Sequence, residues 1–269
     1  MDIEQILLAA LLGGIFAGAG GGLGAFMAGL LPSSYRNVVN GGMAAGGLAL
    51  TQIAVDALKS RSLGNEIHAE LQQSRMFVII EEEFPEEYAG FVREISQSKS
   101  DDSAFKLGNR FTTNLRKTHA EYLKSASSSK LLDFIEADRR LANAIRERDG
   151  DEMCSAFLLA GPGSLPNGLT PYAVEAELSV EALFLAISDG RDIDNPRSSP
   201  SEAEWVALLE QWQSEGATED MVAALANPES AGANLCGAYL SFLTLLISYE
   251  AIEADAIRAE HMFQKAILN

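Results

Sequence analysis

The sequence predicts an all-α protein, a Gly/Ala-rich transmembrane helical hairpin followed by an acidic helical-bundle domain. Three observations predict it. Two uncharged segments near the start, about 6–31 and 38–55, carry small residues at a spacing of four. From residue 59 onward the apolar spacing is helical almost throughout, and no region alternates with period two. The charge is also divided: of the net -18, residues 1–58 contribute only Asp2, Glu4 and Asp56 against Arg36, so the acidity belongs to 59–269. The expected domains are therefore a membrane hairpin over 1–58 and an all-α soluble domain over 59–269, divisible into two subdomains near 161–171.

The first segment, Ile6 to Leu31, has no charged residue and is long enough to cross a hydrocarbon layer of ~30 Å. Met1-Asp2-Ile3-Glu4-Gln5 lacks the positive start of a secretory signal peptide, so the segment is expected to stay on the protein. Ala9, Gly13, Ala17, Gly21, Ala25 and Gly29 fall on one helical stripe, and Ala10, Gly14, Gly18 and Gly22 on the next. In lipid, where apolar side chains gain little by leaving their surroundings, such stripes let two backbones approach and make dispersion contact. A partner helix is implied.

That partner follows after the turn-rich Pro32-Ser33-Ser34-Tyr35-Arg36-Asn37. Val38 to Val55 is again uncharged, with Gly42 and Gly46 on one stripe and Gly41, Ala45 and Ala49 on the adjacent one. Asn40, Thr51 and Gln52 make this segment costly to leave facing lipid, so it should be shielded by the first or by copies of itself. The pair resembles the glycine-zipper hairpins of bacterial membrane proteins and, more loosely, the hydrophobic hairpin of pore-forming bacteriocins. The resemblance covers about residues 6–55 and implies helix–helix assembly, with no catalytic or binding residue carried across. Lys59 and Arg61 after the second segment, against Arg36 in the loop, place the body on the cytoplasmic side of a bacterial inner membrane.

In the body, Leu63, Ile67, Leu71 and Val78 extend a stripe out of the second segment, which predicts one long helix leaving the membrane. Met76 to Ile80, the most strand-like run, sits inside that helical pattern. Leu131, Phe134, Ile135, Leu141, Ala142 and Ile145 form another apolar face, and Trp205, Leu208, Leu209 and Trp212 a third. Ser201 with Glu204 reads as a capping box after Pro200, and Asn227-Pro228 as an N-cap before a proline at N1. Breaks are expected at Phe84-Pro85, Ser125 to Ser129, Gly161 to Pro171 and Gly190 to Pro200. Ala231 to Tyr249 is uncharged, but its polar residues and acidic flanks favour a buried core helix over a third span.

Site signals are weak. Gly163-x4-Gly168-Leu169-Thr170 has the outline of a phosphate-binding loop, yet Leu169 stands where the lysine is needed. Asp189, Asp192 and Asp194 miss the calcium-loop spacing. His68, His119 and His261 lie on separate helices with no second ligand at metal spacing. Cys154 and Cys236 form no C-x-x-C motif and read as buried thiols in a reducing compartment, with one bridge between them left open. No cofactor, metal or catalytic residue is expected, and the acidic body argues against nucleic acid.

Lys106, Arg110, Arg116, Lys117, Lys124 and Lys130, facing only Glu121, make a basic amphipathic stretch with Leu107, Phe111, Leu115 and Tyr122. It suits either lipid headgroups and a partner, or an intramolecular clamp on the helix bearing Glu81, Glu82, Glu83, Glu86 and Glu87. The function expected is a membrane-anchored, self-associating scaffold or adaptor, a homo-oligomer in contact with membrane lipid and an unknown protein partner, and not an enzyme. The alternative is a channel-forming or membrane-permeabilising effector using the same hairpin.

Overall fold

The computed structural model describes His68, residues 71–72, 74–97 and 101–267. The proposed zipper positions Ala9, Gly13, Ala17, Gly21, Ala25, Gly29, Gly42 and Gly46 lie outside the described residues. Those described are helical without a strand, in agreement with the all-α expectation. The elements are α1 (Arg75–Glu83), α2 (Pro85–Ser96), α3 (Asp101–His119), α4 (Ser128–Ala160), α5 (Ala173–Arg191), α6 (Glu202–Ser214), α7 (Glu219–Ala226), α8 (Asn234–Ser248) and α9 (Ala254–Ile267), with short 3-10 turns at several joints.

Local chemistry sets most boundaries. Pro85 has no N–H to continue α1 and opens α2 at its first position. Ser201 accepts from the Glu204 amide at 3.4 Å while Glu204 takes the Ser201 amide at 2.5 Å, so the capping box at α6 is complete. Asn227-Pro228 opens a 3-10 turn rather than α8, which begins at Asn234. The long helix expected to run through residue 71 is interrupted: Ser74 has extended φ/ψ, and the buried face of α1 is Met76, Phe77, Ile79 and Ile80, with Val78 only half-buried.

The α4 helix is the hub, packing on α5, α8 and α9. Its face of Leu131, Phe134, Ile135, Leu141, Ala142 and Ile145 is buried as the spacing requires. A break unannounced by the pattern occurs at Gly150, with φ 87° and ψ 172°, a region open essentially to glycine alone. Packed against α4 is α8, buried over Leu235, Cys236, Ala238, Tyr239, Leu240, Phe242, Leu243, Leu245 and Leu246. This is the core helix expected within 231–249; among the described residues no helix is long and apolar enough to cross a membrane.

Arginine closes two helix ends, Arg258 from a buried position and Arg197 from a half-buried one. Arg258 donates to the carbonyls of Leu246 at 2.7 Å, Ile247 at 3.3 Å and Tyr249 at 2.5 Å, satisfying the C-terminal acceptors of α8. Arg197 does the same for Ala126 at 2.6 Å and Lys124 at 3.2 Å, and so fastens the segment 192–201 across the 3-10 turn Ala120–Lys124. That turn lies so close to α5 that a Cβ on Gly190 would sit 1.8 Å from the Tyr122 carbonyl oxygen.

The cysteines correct the sequence reading. Cys154, just beyond the Gly150 break, and Cys236 on α8 are not free thiols but a disulfide, both fully buried with Cα atoms 5.6 Å apart. Beside it, Ser155 Oγ accepts from the Cys236 amide at 3.0 Å and donates to the Ala233 carbonyl at 3.2 Å.

Candidate functional site

The α4 and α5 helices run antiparallel, tied at one end by the Ser127 amide to Asp189 Oδ2 at 2.6 Å and at the other by the Tyr172 hydroxyl to Asp149. Their outer edges leave a groove of about 230 Å³. Each helix lines it with a stripe at i, i+3, i+7, i+10: Lys130, Asp133, Ala137 and Arg140 from α4, and Glu175, Leu178, Ala182 and Leu185 from α5. Ala137, Leu178, Ala182 and Leu185 form an apolar seam, and Val174 and Leu178 stand 67% and 43% exposed along α5.

Charge surrounds that seam. Glu136 is held by Arg139 at 2.8 Å and Arg140 at 2.9 Å, which lower its pKa, with burial opposing them. Lys130 lies 3.9 Å from Asp133. Glu181 is almost fully buried, 3.2 Å from Arg75 of α1; burial raises its pKa, Arg75 opposes this and Glu177 adds to it. The lining carries Asp133, Glu136, Glu175 and Glu181 against Lys130 and Arg140, an acidic excess. It contains no serine, cysteine or histidine, and its volume lies below the usual range for small-molecule pockets. The geometry is that of a narrow apolar seam between two helices, edged by charge.

The basic stretch is placed differently from a single surface. Lys106 lies on α3. Arg110 is exposed and pairs with Glu94 of α2 at 2.7 Å, and His119 meets Glu87 of α2 at 2.9 Å. Neither pair is the expected clamp: Glu94 lies outside the acidic set Glu81, Glu82, Glu83, Glu86 and Glu87, and Glu87 is met by His119 rather than by one of the six basic residues. Arg116 is buried, its pKa lowered to about 10 by desolvation, and so presents nothing to lipid or a partner. Lys124 is largely covered, 3.0 Å from Glu121 and 3.9 Å above the ring of Phe263. Of the candidate contacts, Arg110 and Lys117 are exposed.

The remaining signals resolve into structure. Gly161–Ser164 and Thr170–Tyr172 form 3-10 turns, with Leu169 buried in the turn between them. Asp189 holds the start of α4, while Asp192 and Asp194 are exposed. His68 contacts the Tyr88 hydroxyl at 3.1 Å. His261 belongs to a buried polar group that the sequence did not reveal: Asp138 of α4 accepts from the Tyr239 hydroxyl of α8 and is ion-paired to Lys265 of α9, whose ammonium is 3.2 Å from the same hydroxyl. Burial and then Lys265 press the His261 pKa down to about 3. Among the described residues no group of His, Cys, Asp or Glu is arranged to hold a metal ion. Compared with protein-family models, with curated proteins and with solved structures, the chain matches none.

Proposed function

We propose that this protein is a membrane-anchored, self-associating helical scaffold whose body holds a helical segment of a protein partner. The observation that carries this reading is the four-residue spacing of small residues in both uncharged N-terminal segments, Ala9 to Gly29 and Gly42 to Gly46. A lone anchor inserts better with leucine at those positions, so the glycines serve contact between helices.

The body supports the second half of the proposal through the α4–α5 groove, whose two parallel stripes match the seam an additional helix would fill. Its acidic excess favours an occupant with an apolar edge flanked by lysine or arginine.

The test is made in membranes. The full chain should resist alkaline carbonate extraction and crosslink to itself, and the double variant Gly13→Leu, Gly21→Leu should stay inserted while losing most of that crosslinking. Release by carbonate, or undiminished crosslinking in the variant, would refute the zipper. The channel reading, favoured by Asn40, Thr51 and Gln52 on the second segment, predicts dye release from liposomes, which a scaffold does not produce.

A further inference from the structure

We propose that the acidic body folds in an oxidising compartment, on the side of the membrane opposite to the one its flanking charges suggest. The side of the membrane rests on the hairpin reading above; the compartment rests on the disulfide alone.

Cys154 and Cys236 are the chain's two cysteines, and both are spent in one bridge 82 residues apart in sequence. Thiols of the cytosol are held reduced by glutathione and thioredoxin systems, whereas oxidising compartments form and preserve such bridges. Both sulfurs are fully buried, at the junction where the Cys236 amide also meets Ser155 Oγ. A redox sensor needs an accessible, activated thiol, so this pair is a permanent structural link rather than a switch.

Burial also dates the reaction. Oxidation must occur before α8 closes over α4, because no catalyst reaches the sulfurs afterwards. One cysteine thiolate attacks the disulfide of an oxidising carrier protein to give a mixed disulfide, and the second displaces the carrier. Two electrons and two protons leave the pair, and the carrier departs as a dithiol. The folding compartment must hold such a carrier.

The charge evidence for the opposite side is small. It sets Lys59 and Arg61 against Arg36, a difference of one cation. With the body outside, the loop that contains Arg36 takes the cytoplasmic side and the positive-inside bias is only slightly offended.

The experiment uses the full chain in the membranes of the cell that makes it. Thiols are trapped with acid, the protein is denatured, and a polyethylene-glycol maleimide is added with and without prior reduction. No adduct before reduction and two after it are expected; two adducts without reduction overturn the proposal. Protease added to intact spheroplasts should degrade the body, and a body protected until the membrane is lysed overturns its placement outside. Carbonate extraction separates the two readings. An oxidised chain released by carbonate supports the oxidising compartment and removes the hairpin, while an inserted chain with two free thiols removes this proposal and leaves the anchor standing.

Discussion

His261 packs edge-on against Phe242, with ring centroids 5.5 Å apart, and lies near Tyr239, Lys265 of its own helix and Asp138 of α4. Desolvation and the Lys265 ammonium outweigh the attraction of Asp138, so the folded imidazole is neutral down to a pKa of about 3. The unfolded imidazole takes its proton near its ordinary value of about 6.5. Between those two values the unfolded chain binds the extra proton, so stability falls as pH falls; above pH 7 neither state is charged and the residue costs nothing by this route. Urea unfolding followed from pH 6.5 to 5, above the range of ordinary carboxylates, should show stability declining with a slope approaching about 1.4 kcal/mol per pH unit. His261→Gln should flatten that slope whatever its effect on absolute stability. An unchanged slope would place the titration elsewhere.

At the scale of the element, legibility followed locality. The capping box of α6, the Pro85 break and the buried face of α4 depend on residues a turn or two apart, and a pattern reports them. Gly150 was illegible because a glycine inside a helical pattern looks tolerated until its φ is known. The groove was hidden for another reason. α5 buries Ala176, Val180, Leu183, Phe184, Ala186 and Ile187 on one side and carries Val174, Leu178, Ala182 and Leu185 on the other, so the sequence is apolar on both and does not say which face stays open. Its use as a helix seam can be tested with a synthetic amphipathic peptide of leucine and lysine. Leu178→Asp adds a negative charge while spoiling the apolar seam. Binding by charge alone would strengthen, whereas docking in the groove should weaken by roughly tenfold, the loss of about 1.4 kcal/mol for one half-exposed leucine. Tighter binding to the variant, read by fluorescence anisotropy at fixed salt, would discard the seam.

Across the whole molecule, the decisive contacts join residues that no local pattern relates. Asp138 meets Tyr239 and Lys265, Arg110 meets Glu94, and Cys154 meets Cys236 across 82 positions, so each was visible in the sequence only as an isolated residue. The disulfide has the largest reach, because it joins the hub helix to the core helix it contacts most and encloses α5, α6 and α7 between them. Restricting an unfolded loop of that length contributes about 4.5 kcal/mol in the chain-entropy model, and measured bridges commonly deliver 2 to 4. For a domain of roughly 200 residues each kcal/mol moves the midpoint by about 2 to 4 °C. The double variant Cys154→Ala, Cys236→Ala should therefore melt about 10 °C below the oxidised protein. Small cavities alone could lower the midpoint of an alanine variant, so the comparison needs a second arm in which unmodified protein is unfolded and refolded in reductant. The reduced protein should shift in the same direction by a similar amount. If reductant leaves its melting curve unchanged, the bridge does not contribute to stability and the loss in the variant is one of packing.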